Sequence, residues 1–414
     1  MNSTRKQRST PPRKKSCLQC AKSKVRCGLE RPCCARCVAA NRQCRYATPA
    51  ENPSSPVASR HSVPPIESIA TPTSLSAAFT DPTDAILVGT TASGHPTPLP
   101  LPTQLRTTAD RPGVSLDFSN LDLVPLADAD QIRDRWLWPF LAVGEQVPKA
   151  FHPYTLQYIS CVLRTYPKLM VKKNGVPPII HPMQISDGNS SVALANCYSL
   201  VRLWHHSAAG SEHIVAETIQ REMERLANYD TTNADDLDIL GAFQAYLIYS
   251  IMATFFPIQG SNIVNDATMV TLHEMAFRTT QAGLVSRAEL ARSRPTWESW
   301  IIVSAKRRAV FAFYLLSSVY NADNYVPSFL AQELREVYVP DAKRLWEARS
   351  RREWEREYSQ YLSEWEDGLL MISELWLSPD TGSKGRRERI DRWVQSADEF
   401  GMMLFAVCVH LHGY

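Results

Sequence analysis

Acidic residues are almost missing from one end of this chain. The first 46 residues contain a single one, Glu30, against 13 Lys and Arg, a local charge of +12. The complete chain of 414 residues carries only +3, so the remainder holds 32 basic and 41 acidic side chains, or −9. Such a basic end repels cationic partners and suits a polyanion. The N-terminus also lacks the apolar stretch that a secretory signal requires, so secretion is not expected. Cysteine is sparse beyond residue 44, with three of the 10, Cys161, Cys197 and Cys408, scattered in apolar surroundings. That usage excludes a disulfide scaffold and fits a reducing compartment, with these three as small core residues.

Long apolar runs are few. Ile239 to Ile258 approaches the length of a membrane span, but Gln244 and Ser250 interrupt it and Asp235, Asp236 and Asp238 flank it where Lys or Arg would be expected. It reads as a buried core helix. Catalytic constellations are missing too. His273-Glu274 lacks the second His of an H-E-x-x-H site, and neither a Gly-rich phosphate loop nor a G-x-S-x-G elbow occurs. His205, His206, His410 and His412 sit in apolar helical stretches and read as satisfied or surface histidines, so no enzyme is expected.

What is present is a duplicated cysteine spacing. Cys17, Cys20 and Cys27 follow C-x2-C-x6-C, and Cys34, Cys37 and Cys44 repeat both gaps. Zinc takes four thiolates tetrahedrally, so two ions need eight sulfur contacts, and six cysteines supply eight only if two of them bridge. Pseudo-symmetry points to the first of each half, Cys17 and Cys34. Two zinc ions and six thiolates leave about −2, which the surrounding Lys and Arg offset. Cys33 would break the second spacing, so it reads as a spectator thiol.

These residues resemble the fungal Zn2Cys6 binuclear-cluster DNA-binding domain. The resemblance extends to Lys24 and Arg26 before Cys27, to Pro32 between the halves, and to Cys44-Arg45-Tyr46 at the end. It implies that Lys24, four residues after the second cysteine, reads guanine in the major groove of GC-rich triplet sites in double-stranded DNA. Lys22, Ser23 and Arg26 lie beside it on a short helix expected over Gln19 to Arg26. Ser23 and Ala21 stand where the family often has basic residues, which weakens base readout. Arg36 and Arg42 belong to the second half, where pseudo-symmetry predicts a matching short helix, and are expected on phosphates in preference to bases. Arg13, Lys14 and Lys15 close a basic arm, residues 1–16, suited to phosphate contact and nuclear import.

Residues 47–113 hold 12 of the chain's 28 prolines and one aromatic, Phe79, and read as a disordered linker. No heptad seam survives among those prolines, so a homodimer would need some other contact. In 115–127, acids alternate with Phe118, Leu121, Leu123 and Leu126. This stretch reads either as an activation segment for a coactivator or, preferably, as an extended lead-in docked on the helices beyond it.

From about Asp128 the pattern is helical, with nine candidate helices. The last two cover Ala342–Leu377 and Arg386–Leu411. Trp354, Tyr358, Tyr361, Trp365, Leu369, Ile372 and Trp376 form a stripe of mean step near 3.6 on the former, core-facing in preference to a dimer seam. The segments VPPIIHP at Val176–Pro182, DLDILGAFQAYLIYSI at Asp236–Ile251, and Trp297, Trp300 and Lys306–Arg308 look like the helical regulatory region of fungal zinc-cluster activators of secondary-metabolite genes.

The expected architecture is therefore mainly α: a basic arm (1–16), a Zn2Cys6 domain with two short helices (17–46), a linker (47–127) and an all-helical regulatory domain (128–414). The expected function is a nuclear, sequence-specific transcription factor of RNA polymerase II genes, activating a fungal biosynthetic gene cluster with coactivators or the transcription machinery. The alternative is a metal-stapled scaffold or small-molecule sensor with only non-specific nucleic-acid affinity.

Overall fold

The computed structural model describes residues 16, 17, 20, 27, 34–40, 44, 116–140, 147–186, 190–208, 210–257 and 264–413. By internal contacts the chain divides into two units, Met1–Leu101 and Pro102–Tyr414. In the first, the described residues are the six cysteines and a short helix, α1 (Ala35–Ala39).

The second unit is built around two helices that are buried on nearly all sides, one almost wholly apolar and the other carrying charged residues inside the core. One is α7 (Asp236–Phe255), which covers the long apolar run. Its N-cap Asp235 accepts the Asp238 N–H at 2.8 Å, and Asp236 and Asp238 in the first turn complement the helix dipole. By length and composition this helix could cross a membrane, yet 78% of its apolar window is buried within the unit. The other is α10 (Trp297–Asp323), started by Thr296, whose hydroxyl accepts the Ser299 N–H; every residue from Trp297 to Phe313 is buried. Around this pair lie α2 (Ala129–Asp134), α3 (Pro153–Leu163), α4 (Thr165–Val171), α5 (Val192–His205), α6 (Glu212–Ala227) and α8 (Asp266–Gln281). Helix α10 packs on α3, α7 and α8, while α7 also meets α5 and α6. Helix α6 is two-sided. It buries Val215, Ile219, Met223 and Leu226, and its outer face carries the Arg225–Glu222 pair.

Residues 116–127 dock on this unit. Leu116, Phe118 and Leu123 are buried. Strand β1 (Leu123–Val124) pairs antiparallel with β2 (Val285–Ser286), Leu123 opposite Ser286. The lead-in reading holds: the apolar members of the alternation serve the core. Gly283, at φ +124°, sits so close to this strand that a Cβ there would lie 2.0 Å from the Val124 carbonyl oxygen.

The two longest helices expected at the C-terminal end are both broken. Instead of one helix over 342–377, the chain forms α11 (Lys343–Trp346), α12 (Arg351–Glu364) and a 3-10 turn, Ile372–Leu375. Ser350 caps α12, and Gly368 at φ +95° turns the chain back. There Val339 N–H donates to Leu370 O (3.1 Å) and Ile372 N–H to Val337 O (2.8 Å), a strand-like pairing that helical periodicity cannot reveal. All seven stripe residues are nevertheless buried, so the core reading survives while the single helix does not. Likewise 386–411 splits into α13 (Lys384–Ser396) and α14 (Glu399–His412), because Asp398 caps α14 by accepting the Gly401 N–H at 2.9 Å.

Asp398 has a second task. Lys306, Arg307 and Arg308, consecutive on α10, are all fully buried. Lys306 pairs with Asp236. Arg307 meets Glu289 of α9 (Arg287–Leu290) at 3.0 Å and Asp341 at 2.9 Å. Arg308 meets Asp398 at 2.6 Å, its guanidinium 3.9 Å from the Trp346 ring centroid. Buried charges persist only when paired. The carboxylates here come from four separate segments.

Candidate metal centre and nucleic-acid interface

Cys17, Cys20, Cys27, Cys34 and Cys37 are buried and Cys44 is partly buried against them. Their sulfurs form two groups of four, Cys17/Cys20/Cys27/Cys34 and Cys17/Cys34/Cys37/Cys44, with the ligand atoms of each group within 4.8 Å of one another. The groups share Cys17 and Cys34. These are the two bridges that the counting of ligands requires. The edge of a tetrahedron with Zn–S of about 2.3 Å is about 3.8 Å. The Sγ–Sγ separations match it: 3.8 Å for Cys17–Cys34, 3.8 Å for Cys17–Cys37 and 3.7 Å for Cys20–Cys34.

The chemistry of the donor set points the same way. The neighbouring Cys17 sulfur, with desolvation and further sulfurs behind it, pushes the Cys20 thiol up to about 12. Desolvation and the same crowding raise Cys37 as well. Six sulfurs packed this closely carry negative charge together only around a strong positive charge, which zinc supplies when bound. Two backbone N–H groups also serve the sulfurs, Cys20 N–H to Cys17 Sγ and Cys34 N–H to Cys44 Sγ, both at 3.4 Å. They orient the ligands from outside the donor set. Residue spacing carries no sign of them.

Helix α1 starts at Cys34, its N-cap, and turns Cys37 inward. It is the short helix that pseudo-symmetry placed in the second half. Its outer side exposes Arg36 and Val38. In the first half Cys20 is helical, while the rest of the expected Gln19–Arg26 helix lies outside the described residues. So do Arg13, Lys14, Lys15, Lys22, Ser23, Lys24, Arg26, Arg42 and the spectator candidate Cys33, and the 47–113 linker.

Residues 15–53 match the model of the fungal Zn(2)-Cys(6) binuclear cluster domain. The chain carries a fungal Zn(2)-Cys(6) binuclear cluster domain. Its binuclear cluster binds two zinc ions, held by the six cysteines described above. Similarity also reaches well past the cluster: over 372 residues, 84% of this chain and 84% of the relative, it is 23% identical to Transcription factor gsfR2 of Penicillium aethiopicum. No solved structure matches.

In the helical unit, the histidines and cysteines singled out from sequence fall in unrelated places. His273 is buried, its Nδ1–H donating to Met269 O at 2.7 Å and its ring edge-on to Phe313, while Glu274 pairs with Arg278. His205, His206 and His410 are exposed. Cys197 and Cys408 are buried as expected, but Cys161 is exposed. That corrects its reading as a core residue: the apolar neighbours Ile159 and Leu163 face inward on α3, and Cys161 sits between them on the outer side.

Proposed function

We propose that the binuclear cluster places this transcription factor on specific double-stranded DNA sites in the nucleus, and that its output is activation of RNA polymerase II genes of a fungal biosynthetic cluster. The observation that carries the reading is the pair of sulfur tetrahedra sharing Cys17 and Cys34, set within a segment of charge +12. A purely structural metal site does not call for that charge. In this reading Lys24 donates to guanine O6 and N7 in GC-rich triplets, with Lys22, Ser23 and Arg26 beside it. Arg36 and Arg42, together with Arg13, Lys14 and Lys15, hold phosphates. Arg36 is exposed on α1, as a phosphate contact must be. The helical unit is regulatory and non-catalytic, and the partners are DNA, coactivators or the transcription machinery, and a second copy where two half-sites are read.

Gel-shift titration of the full chain at several salt concentrations tests this. Preference for some GC-rich triplet sites, steep loss of affinity with salt and complete loss on chelation are expected. Lys24→Ala should cost about 1–3 kcal/mol and relax discrimination at one position. Binding that ignored sequence would overturn the specific reading, and an equal loss on every sequence would make Lys24 a phosphate contact.

A further inference from the structure

A cavity of about 200 Å³ in the helical unit lies between α8, α10 and the 326–329 segment. An apolar cavity of about 150 Å³ accepts benzene, so this one has room for one or two rings. Its walls are largely apolar, with Trp136, Met269, Val270, Val326 and Phe329 among them. A second, more apolar cavity of about 70 Å³ adjoins it, sharing Lys149, Tyr314 and Ser318.

Two cations reach the first cavity, and they differ in how far they are already partnered. Arg135 is committed: its guanidinium bonds both carboxylate oxygens of Glu333 and the carbonyls of Phe329 and Leu330. Lys149 is not. It is half-buried where the two cavities meet, and among the described residues its ammonium has no carboxylate or hydrogen-bond partner, only the Phe151 ring at 5.3 Å. Desolvation, and then the charge of Arg135, lower its pKa to about 8, offset only in part by Cys408 and Glu333, so near neutral pH the cation is still mostly present. An anion placed against it would satisfy a charge that no described residue pairs with. The opposite charge at the rim, Asp266, already accepts from the Tyr320 hydroxyl at 2.7 Å. One open cation in an apolar chamber suits a single negative charge on an apolar body, whereas a phosphate dianion would ask for more donors than Lys149 supplies.

We propose that this cavity binds a small organic acid, a carboxylate on a one- or two-ring apolar body, with the carboxylate held by Lys149. The proposal concerns the helical unit alone and does not depend on how the cluster reads DNA.

Isothermal titration of the zinc-loaded full chain with 2-naphthoate, and with the uncharged 2-naphthamide as its isostere, tests it. Saturable 1:1 binding of naphthoate is expected, about tenfold or more tighter than the amide, the ratio of one charge-assisted hydrogen bond. Lys149→Met should abolish the preference, and Lys149→Arg should restore it. Absence of saturable naphthoate binding, or equal affinities for acid and amide in the native protein, overturns the proposal, as does a preference that survives in Lys149→Met. Circular dichroism shows whether that variant is folded; if it is not, the acid-to-amide ratio in the native protein decides alone.

Discussion

Replacing Cys17 by alanine removes a ligand from both sulfur tetrahedra, and replacing Cys44 removes one from a single tetrahedron, because the structure puts Cys17 in both groups and Cys44 in one. A structural zinc site is worth about 10–16 kcal/mol at neutral pH. A quarter share of that is roughly 2.5–4 kcal/mol per lost thiolate, or about two to three decades in affinity. Cys44→Ala should therefore keep one tight ion in the intact Cys17/Cys20/Cys27/Cys34 group and lose the other to a chelator of intermediate strength. Cys17→Ala should lose both at the same chelator strength, and Cys33→Ser should keep both. The assay is elemental analysis after dialysis against chelators of graded affinity. Equal zinc retention by Cys17→Ala and Cys44→Ala would refute the bridging assignment, and loss of one ion in Cys33→Ser would move a ligand to that position.

Two further predictions concern the helical unit. His181 is fully buried, accepting the Met183 N–H at its Nδ1 (3.2 Å), and desolvation followed by the charge of Arg308 lowers its pKa to about 3. Below about pH 6.5 the unfolded chain takes up a proton that the folded one refuses, so stability present above that pH is lost as pH falls toward 3. Between pH 7 and 5 the loss from this group is about 2 kcal/mol; urea melts at the two pH values should show it, and His181→Asn, which keeps a capping acceptor, should shrink the difference. Arg307→Met leaves Glu289 and Asp341 buried without their cation, and a destabilisation of about 3–5 kcal/mol is expected in thermal melts. A change below about 1 kcal/mol would mean that these carboxylates protonate or find water at little cost.

The metal centre was legible in sequence because its geometry is local. Two gaps between cysteines encode a tetrahedron, and ligand counting demanded the bridges. Helix starts at Ser191, Asp235 and Thr296 are set just as locally, since a cap acts within three residues. The breaks near Ser350 and Asp398 were not legible although their caps are equally local, because the contacts that favour a break there lie far along the chain: backbone pairing of 337–339 with 370–372, and the reach of Arg308 to Asp398. Cys161 misled for want of a partner pattern, as apolar neighbours in sequence point to different faces of a helix. Lys149 was silent altogether. A lone lysine in an ordinary stretch of chain means nothing until two cavities are seen to meet at it.

Lys306, Arg307 and Arg308 succeed one another on a helix that turns about 100° per residue, so their side chains fan across some 200° of its circumference. Each is anchored to a different stretch of chain, at Asp236, at Glu289 with Asp341, and at Asp398. The helix is thereby keyed like a shaft: a slip of one residue or a rotation of one position would unseat all three cations together. Partial opening of any one anchor strands a charge in the core, so these distant segments should exchange their amide hydrogens as one cooperative block, at the slow rate of α10 itself.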